Sequence, residues 1–524
     1  MIDSDNIFRY GEDQLTLGLA HRLCQGKLSG VLTTAALNAL DRSISTVKKI
    51  VNDHETVYGI NTGFGAARKT KIEDKDILTL QANLLRSHSV GVGEDIPEHT
   101  ARMMLILKIQ ALAKGYSGVS PELLERMIWH LDNNIIPCVP SQGSVGASGD
   151  LAPLAHLFLP LIGEGFVLKN GVKQRTEDVL KLLGIAPLTL GPKEGLALIN
   201  GTQFIAAHAV EVLIRFQNCL DHADIIGALS LESLQGSCKP FQAELHHLRP
   251  FLGGKYVANR LLKLLTGSQV MEDHEHCNEV QDPYSLRCMP QVHGASRDAW
   301  LHAKSRVECE LNSVTDNPII VADEAISGGN FHGQPIALPI DYVTLAASEL
   351  GNIADRRIYL LLKGRGRLPQ LLMTHTGLNS GFMILQYTTA ALASENKGLC
   401  FPSSADSIPT SLGQEDHVSM GSIGARKALQ VVDNLEKILG IELLCAAQAF
   451  DFRGELKSSV ILEEIHAAVR ENIPYHEKDD VFSHSIETAI ELIRNKSLIN
   501  RTKAFCHEHN FNLPNDEDET FGIF

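Results

Sequence analysis

Residues 143–157 read Gly-Ser-Val-Gly-Ala-Ser-Gly-Asp-Leu-Ala-Pro-Leu-Ala-His-Leu, and the triplet Ala147-Ser148-Gly149 within them could make an electrophile from the backbone itself. In a tight turn the Gly149 amide nitrogen, unobstructed by a Cβ, can approach the carbonyl carbon of Ala147. Ring closure followed by loss of water from the ring and from the Ser148 side chain would leave a 4-methylidene-imidazol-5-one. Its exposed methylidene carbon would be an electrophile that no ordinary side chain supplies. The same residues also suit an ordinary loop and helix start, with Asp150 as N-cap and Pro153 in the first turn. The rest of the chain must decide between the two.

Composition narrows the choice. The 524 residues, 44% hydrophobic and 21% charged, suit a large soluble body. A formal net charge of −15 and a pI near 5.8, without a Lys/Arg-rich stretch, argue against a nucleic-acid surface. The acidic start Met-Ile-Asp-Ser-Asp-Asn lacks signal-peptide features, and no apolar run is long enough to span a bilayer, so a cytoplasmic protein is expected. Ten scattered cysteines without a CxxC pair read as reduced, mostly buried thiols. His274-Glu275-His276-Cys277 and Cys506-His507-Glu508-His509 lack the i, i+4 histidine spacing of a helical zinc site and read as solvated surface; no metal is expected. Gly59, Gly63 and Gly65 match neither the phosphate loop nor the dinucleotide fingerprint, so a nucleotide cofactor has no support.

The elements that must position the triplet are mainly α. Up to about residue 140, short helices are predicted over 35–52, 74–87, 99–114 and 121–133, between glycine-rich loops at 58–65 and 91–93. A small strand pair is predicted around 165–172. Beyond Thr202, proline-free segments with helical apolar spacing predict long helices over 204–234, 297–312, 342–362, 381–395 and 425–450. The 431–450 stretch is apolar on nearly every face and should be enclosed on all sides. This divides the chain into an N-terminal, mixed but mostly helical domain over 1–201, carrying the triplet, and a long-helix bundle with a C-terminal helical region over 202–524. The acidic stretch 515–519 reads as a frayed tail.

Polar-rich segments interrupt the helical pattern at 58–65, 86–89, 198–202, 280–287, 327–333 and 407–417. Each has an ordinary reading alone, as a core tyrosine, an interior histidine or a salt-bridged loop. Together, the runs Gly-Ala-Ser-Gly-Asp-Leu-Ala-Pro-Leu-Ala, Leu-Ile-Asn-Gly-Thr-Gln, Gln-Asp-Pro-Tyr-Ser-Leu-Arg-Cys and Ser-Ile-Pro-Thr-Ser followed by Gln-Glu-Asp-His-Val-Ser-Met resemble the aromatic amino acid lyase family. The resemblance runs from about Val57 to Phe452.

That resemblance implies the methylidene-imidazolone, formed autocatalytically from Ala147, Ser148 and Gly149 where helix N-termini converge, and no external cofactor. It implies a mainly α homotetramer whose active sites each draw loops from three subunits. Tyr58 would be the base that removes the substrate's β-hydrogen, and Tyr284 would lie close to the ring. Arg287 would pair with the substrate carboxylate, Asn200 and Gln281 would add hydrogen bonds, and Phe331 and Met383 would wall the aromatic group. Addition of the substrate amine to the ring and attack by the substrate's aromatic carbon both remain open.

By the same resemblance, substrate choice would rest mainly on His88 and Glu415. An imidazole offers an N–H that a carboxylate can hold, whereas a phenyl ring would leave a buried charge unpaired. The expected reaction is therefore elimination of ammonia from L-histidine to give trans-urocanate. Its alternatives are elimination from tyrosine or a 2,3-aminomutase reaction, which His88 also suits. A helical scaffold that had lost its chemistry predicts a missing serine or tyrosine, yet Ser148, Tyr58, Tyr284 and Arg287 are all present.

Overall fold

Long amphipathic and all-apolar segments bury their apolar faces largely on one another, and five of them form the bundle at the centre of the protein. The computed structural model describes residues 6–53, 56–63, 65, 72–273, 280–513 and 520–523. The bundle comprises Gln203–Ser233, Met289–Leu311, Gln334–Lys363, Met383–Leu399 and Gly421–Phe450. In the first of these every residue is buried except Glu211 and Arg215, and in the last only Lys437 escapes burial between Asn434 and Phe450. The enclosure predicted for 431–450 is therefore observed, broken only on the side that carries Gln430, Asp433 and Lys437 at its margin.

Two helix starts differ from expectation for one reason. Proline-free spacing placed them at Arg297 and Tyr342, whereas the helices begin at Met289 and Gln334, with Pro290 and Pro335 in their first turns. A first-turn proline forfeits no intrahelical bond, because that amide has no partner in any helix. Pro339 lies deeper in the helix, where burial of Ile336, Ala337 and Ile340 holds the turn in place.

Several charges buried between the helices are paired. Arg297 Nη2 donates to Asp221 Oδ1 (2.8 Å) and Asp224 Oδ2 (2.6 Å), and His293 Nδ1 lies 2.8 Å from Asp224 Oδ1. Arg357 donates to both oxygens of Glu442 at 2.5 and 3.0 Å. Such pairs add little net stability but fix which helix faces which.

The N-terminal part carries shorter helices, among them Thr34–Asn52, Ile77–His88, Glu98–Ala113 and Pro121–Asp132. The expected strand pair is Phe166–Lys169 with Val172–Arg175, and Ile135–Pro137 joins it as a third antiparallel strand. Val92–Asp95 pairs with Pro140–Gln142, so the chain leaves a sheet edge directly into the 143–150 segment. The Ile77–His88 helix packs on Leu151–Phe158 and Glu194–Ile199, and Glu98–Ala113 packs on Gln203–Ser233. One apolar cluster takes in residues from Phe8 to Ile523 on both sides of residue 201.

Among the described cysteines, Cys138, Cys219, Cys445 and Cys506 are buried. Cys506 thus faces the core rather than solvent, while His507, Glu508 and His509 are exposed. The segments 274–277 and 515–519 lie outside the described residues. No described helix is long and apolar enough to cross a membrane.

Candidate active site

Gly149 takes a left-handed φ of +74°, and a methyl group there would sit 2.1 Å from the Gly201 carbonyl oxygen. Only glycine fits this position, and the tightness comes from a parallel bridge between Gly149 and Gly201, with the Asp150 amide donating to Gly201 O at 2.7 Å. Asn200 follows the short Glu194–Ile199 helix and donates through Nδ2 to the Ser148 carbonyl oxygen at 2.6 Å. Ala147 packs against Val418 and Met420.

Asp150 corrects the sequence reading. It sits at the N-cap position of Leu151–Phe158 but makes no side-chain bond to that helix. Its Oδ2 instead accepts the amides of Phe204 (3.1 Å) and Ile205 (3.0 Å), capping the 31-residue Gln203–Ser233 helix, while Ser144 Oγ donates to Oδ1. The free amides of the longer helix, brought close by the Gly149–Gly201 bridge, win the carboxylate. Burial pushes the Asp150 carboxyl up to about 7 against the pull of these donors.

Three helix N-termini therefore meet around residues 144–150. Leu151–Phe158 begins there, Gln203–Ser233 is capped from there, and Gly421–Phe450 is tied in by Met420 N to Val145 O (3.0 Å) and Ser422 Oγ to Ser144 O (2.6 Å). Their partial positive charges favour electron density on this segment.

Ser148 opens into a cavity of about 710 Å³ that also receives Tyr58, His88, Ala147, Asn200, Phe331 and Glu415. Ser148 Oγ donates to Glu415 Oε1 at 3.0 Å, and Thr410 Oγ1 donates to Oε2 at 3.0 Å. Glu415 is presented by a tight turn in which Ser411 (φ +52°) and Leu412 (φ +54°) are both left-handed; strain of this kind, about 1–3 kcal/mol per residue, clusters at functional sites. Ser411 in turn abuts Gly65, where a side chain would strike its hydroxyl.

His88 ends the Ile77–His88 helix, and its neighbour Gly91 is anchored by an amide donating to His156 Nε2 at 3.1 Å. Burial holds His88 below its ordinary pKa, opposed by the Leu84 carbonyl and Glu415. Its Nδ1 lies 2.9 Å from Leu84 O, which can only accept, so the proton of the neutral ring sits on Nδ1 and Nε2 keeps its lone pair. This end of the cavity is thus rich in acceptors.

Gln281, Tyr284, Arg287 and Met383 are not brought to this cavity within one chain. Gln281 and Tyr284 border a separate cavity of about 510 Å³ beside Lys363 and Arg365. Tyr284 is 71% exposed, and the Arg287 guanidinium lies over its ring at 4.8 Å. Among the described residues no hydrogen-bond partner reaches the buried Nε of Arg287. Met383 opens the Met383–Leu399 helix and is partly buried.

Several cavity residues were not singled out from sequence. The His332 and His417 rings stack at 5.9 Å with an interplanar angle of 12°. Each directly follows, or lies two beyond, a residue that was singled out, and adjacency was the available signal. Thr410 needed the turn geometry. Lys108, a charged residue within the apolar run 103–113, is buried with its Nζ 2.6 Å from the Asn200 carbonyl oxygen.

The residues present fit a ring built from the triplet: a position closed to any Cβ at Gly149, a gripped Ser148 oxygen, and a buried Asn200 Oδ1 with no partner among the described residues.

Comparison with known proteins gives the family. Residues 15–471 match the family described as aromatic amino acid lyase. The chain is 49% identical to histidine ammonia-lyase of Sorangium cellulosum over 468 residues, covering 87% of this chain and 91% of the relative. It superposes on the crystal structure of histidine ammonia-lyase from Trypanosoma cruzi with a TM-score of 0.89 and 39% identity, over 99% and 97% of the two chains. The tyrosine aminomutase of Streptomyces globisporus gives a TM-score of 0.88 at 36% identity, over 95% and 98%.

Proposed function

The chain belongs to the aromatic amino acid lyase family, and from that premise we propose that it eliminates ammonia from L-histidine to give trans-urocanate. It is a carbon–nitrogen lyase, and the relatives 42–49% identical to it are histidine ammonia-lyases. One observation carries the substrate reading: the Glu415 carboxylate stands 3.0 Å from Ser148 Oγ, in the cavity that also holds His88 with its free Nε2 lone pair. An imidazole N–H satisfies those acceptors where a phenyl ring satisfies neither. Sites built around such pairing reject the apolar analogue by roughly 10⁴ or more.

The methylidene-imidazolone from Ala147, Ser148 and Gly149 would supply the electrophilic carbon. In our reading Tyr58 takes the β-proton as general base, helped toward phenolate by the electropositive helix ends. Asn200 holds the Ser148 oxygen, Phe331 walls the substrate ring, and Glu415 with His88 orients the imidazole. Arg287 receives the carboxylate as a two-pronged donor, with Gln281 and Tyr284 beside it.

Those last residues come from other copies. The reading of a homotetramer with shared sites is supported by the absence of Gln281, Tyr284, Arg287 and Met383 from the Ser148 cavity of their own chain. It is supported also by Leu338, Tyr342, Leu345 and Tyr359, which stand exposed at heptad-like spacing along Gln334–Lys363. The same proposal includes a cytoplasmic location, which suits scattered cysteines without a CxxC pair.

Purified protein given L-histidine, L-tyrosine and L-phenylalanine in parallel tests the assignment, with near-ultraviolet absorbance of each acrylate product and released ammonia as readouts. Urocanate from histidine alone is expected. Coumarate with histidine inert would overturn the substrate reading, and a β-amino acid product would make the chain an aminomutase.

A further inference from the structure

Lys108 is the one lysine on the Glu98–Ala113 helix and is 1% exposed. Burying an ammonium is costly unless it is paired, and burial pushes its pKa down to about 7. Among the described residues it forms no ion pair, and its hydrogen bond runs to the main-chain oxygen of Asn200 at 2.6 Å. The nearby carboxylates are committed elsewhere. Asp316 pairs with Lys193 Nζ and with Ser117 Oγ, each at 2.7 Å. Asp150 is held by the Phe204 and Ile205 amides and by Ser144.

A lysine retained only for packing could be an aliphatic residue at lower cost. Here Lys108 Nζ grips the backbone of the residue whose side-chain Nδ2 lies 2.6 Å from the Ser148 oxygen. Any nucleophile adding at the carbon derived from Ser148 drives electrons toward that oxygen, so a positive charge two hydrogen bonds behind it favours the addition.

We propose that Lys108 is a positioning residue that holds Asn200 against the Ser148 oxygen and, when protonated, backs it with positive charge. This rests on the ring-forming reading above but not on histidine being the substrate. The test uses cyanide as the probe, added to the intact protein. Its carbon bonds to the methylidene carbon, the displaced π pair moves toward the Ser148 oxygen, and a solvent proton completes the addition. Loss of near-ultraviolet absorbance reads the rate, and intact mass reads ring formation as the loss of two waters.

Lys108→Met is expected to lose both waters and to add cyanide roughly 10- to 100-fold more slowly than the parent, with kcat for histidine falling alongside and KM within about threefold. In an Asn200→Ala background the same change is expected to matter by less than about threefold, since Lys108 acts through Asn200. Cyanide addition at the parental rate, or full additivity with Asn200→Ala, overturns the proposal. So does a folded Lys108→Met chain that keeps its waters, which would assign Lys108 to ring closure. If Lys108→Met fails to melt cooperatively, Lys108→Gln carries the test, with at least fivefold slowing expected and parental reactivity overturning it. A parent that takes up cyanide but ignores histidine overturns the substrate reading alone, and one that never loses water overturns both.

Discussion

Ser148 donates its hydroxyl to Glu415, so one contact joins the residue that would become the electrophile to the residue that would choose the substrate. Ser148→Ala removes the oxygen whose loss makes the methylidene carbon. The variant is expected to keep the full encoded mass and to lose at least about 10³-fold in kcat, as when a covalent catalyst is deleted; mass spectrometry with a urocanate assay checks both. Glu415→Gln replaces an acceptor-only carboxylate by an amide that can also donate. It should lower kcat/KM for histidine by about 10²-fold or more while leaving or raising turnover of tyrosine, narrowing the preference between them. Parallel kinetics on the two substrates decide this, and an unchanged ratio would remove Glu415 from substrate choice.

Helices carry the site because their ends, not their faces, reach it. Where faces meet, buried charge sets the pairing, as in Arg357 with Glu442. Arg357→Met leaves that carboxylate unpaired and is expected to cost about 3–5 kcal/mol, whereas adding Glu442→Leu should restore most of the loss; denaturant titration of both variants measures the coupling. The Pro121–Asp132 helix supplies a pH-dependent contribution. Burial pushes His130 down to about 4, with Nδ1 donating to Ile135 O at 2.9 Å. Between about pH 6.5 and 4 the unfolded chain binds a proton that the folded chain refuses. The stability present above pH 6.5 is therefore lost as pH falls through that window, by up to about 3 kcal/mol. His130→Asn should flatten this part of the stability curve, measured by denaturant midpoints from pH 7.5 to 4.5.

At the scale of the whole molecule, one chain keeps Tyr58 and Ser148 in one cavity and Tyr284, with Arg287 over its ring, beside another. If copies complete each other, Tyr58→Phe and Tyr284→Phe chains, each nearly inactive alone, should recover activity when co-expressed, because some sites then receive both tyrosines. Mixing after separate purification should recover little unless the assembly exchanges subunits. No recovery on co-expression, with mixed assemblies shown by sedimentation or tag pull-down, would mean that both tyrosines act within one chain.

The sequence alone determined the helical class and the long bundle, and it marked the triplet as the segment to watch, because apolar periodicity and a run such as Gly-Ala-Ser-Gly-Asp are local properties. It also singled out Tyr58, His88, Asn200, Phe331 and Glu415, which share the Ser148 cavity. It misjudged the starts at Met289 and Gln334, since a proline reads as a helix breaker unless its position within the first turns is known. Tertiary structure alone decided which helix Asp150 caps, because the competing amides of Phe204 and Ile205 lie more than fifty residues away. It alone placed Lys108 behind Asn200 and kept Tyr284 and Arg287 apart from Ser148. Hydrogen bonds between distant segments depend on how the bundle packs, and spacing along the chain carries no trace of that.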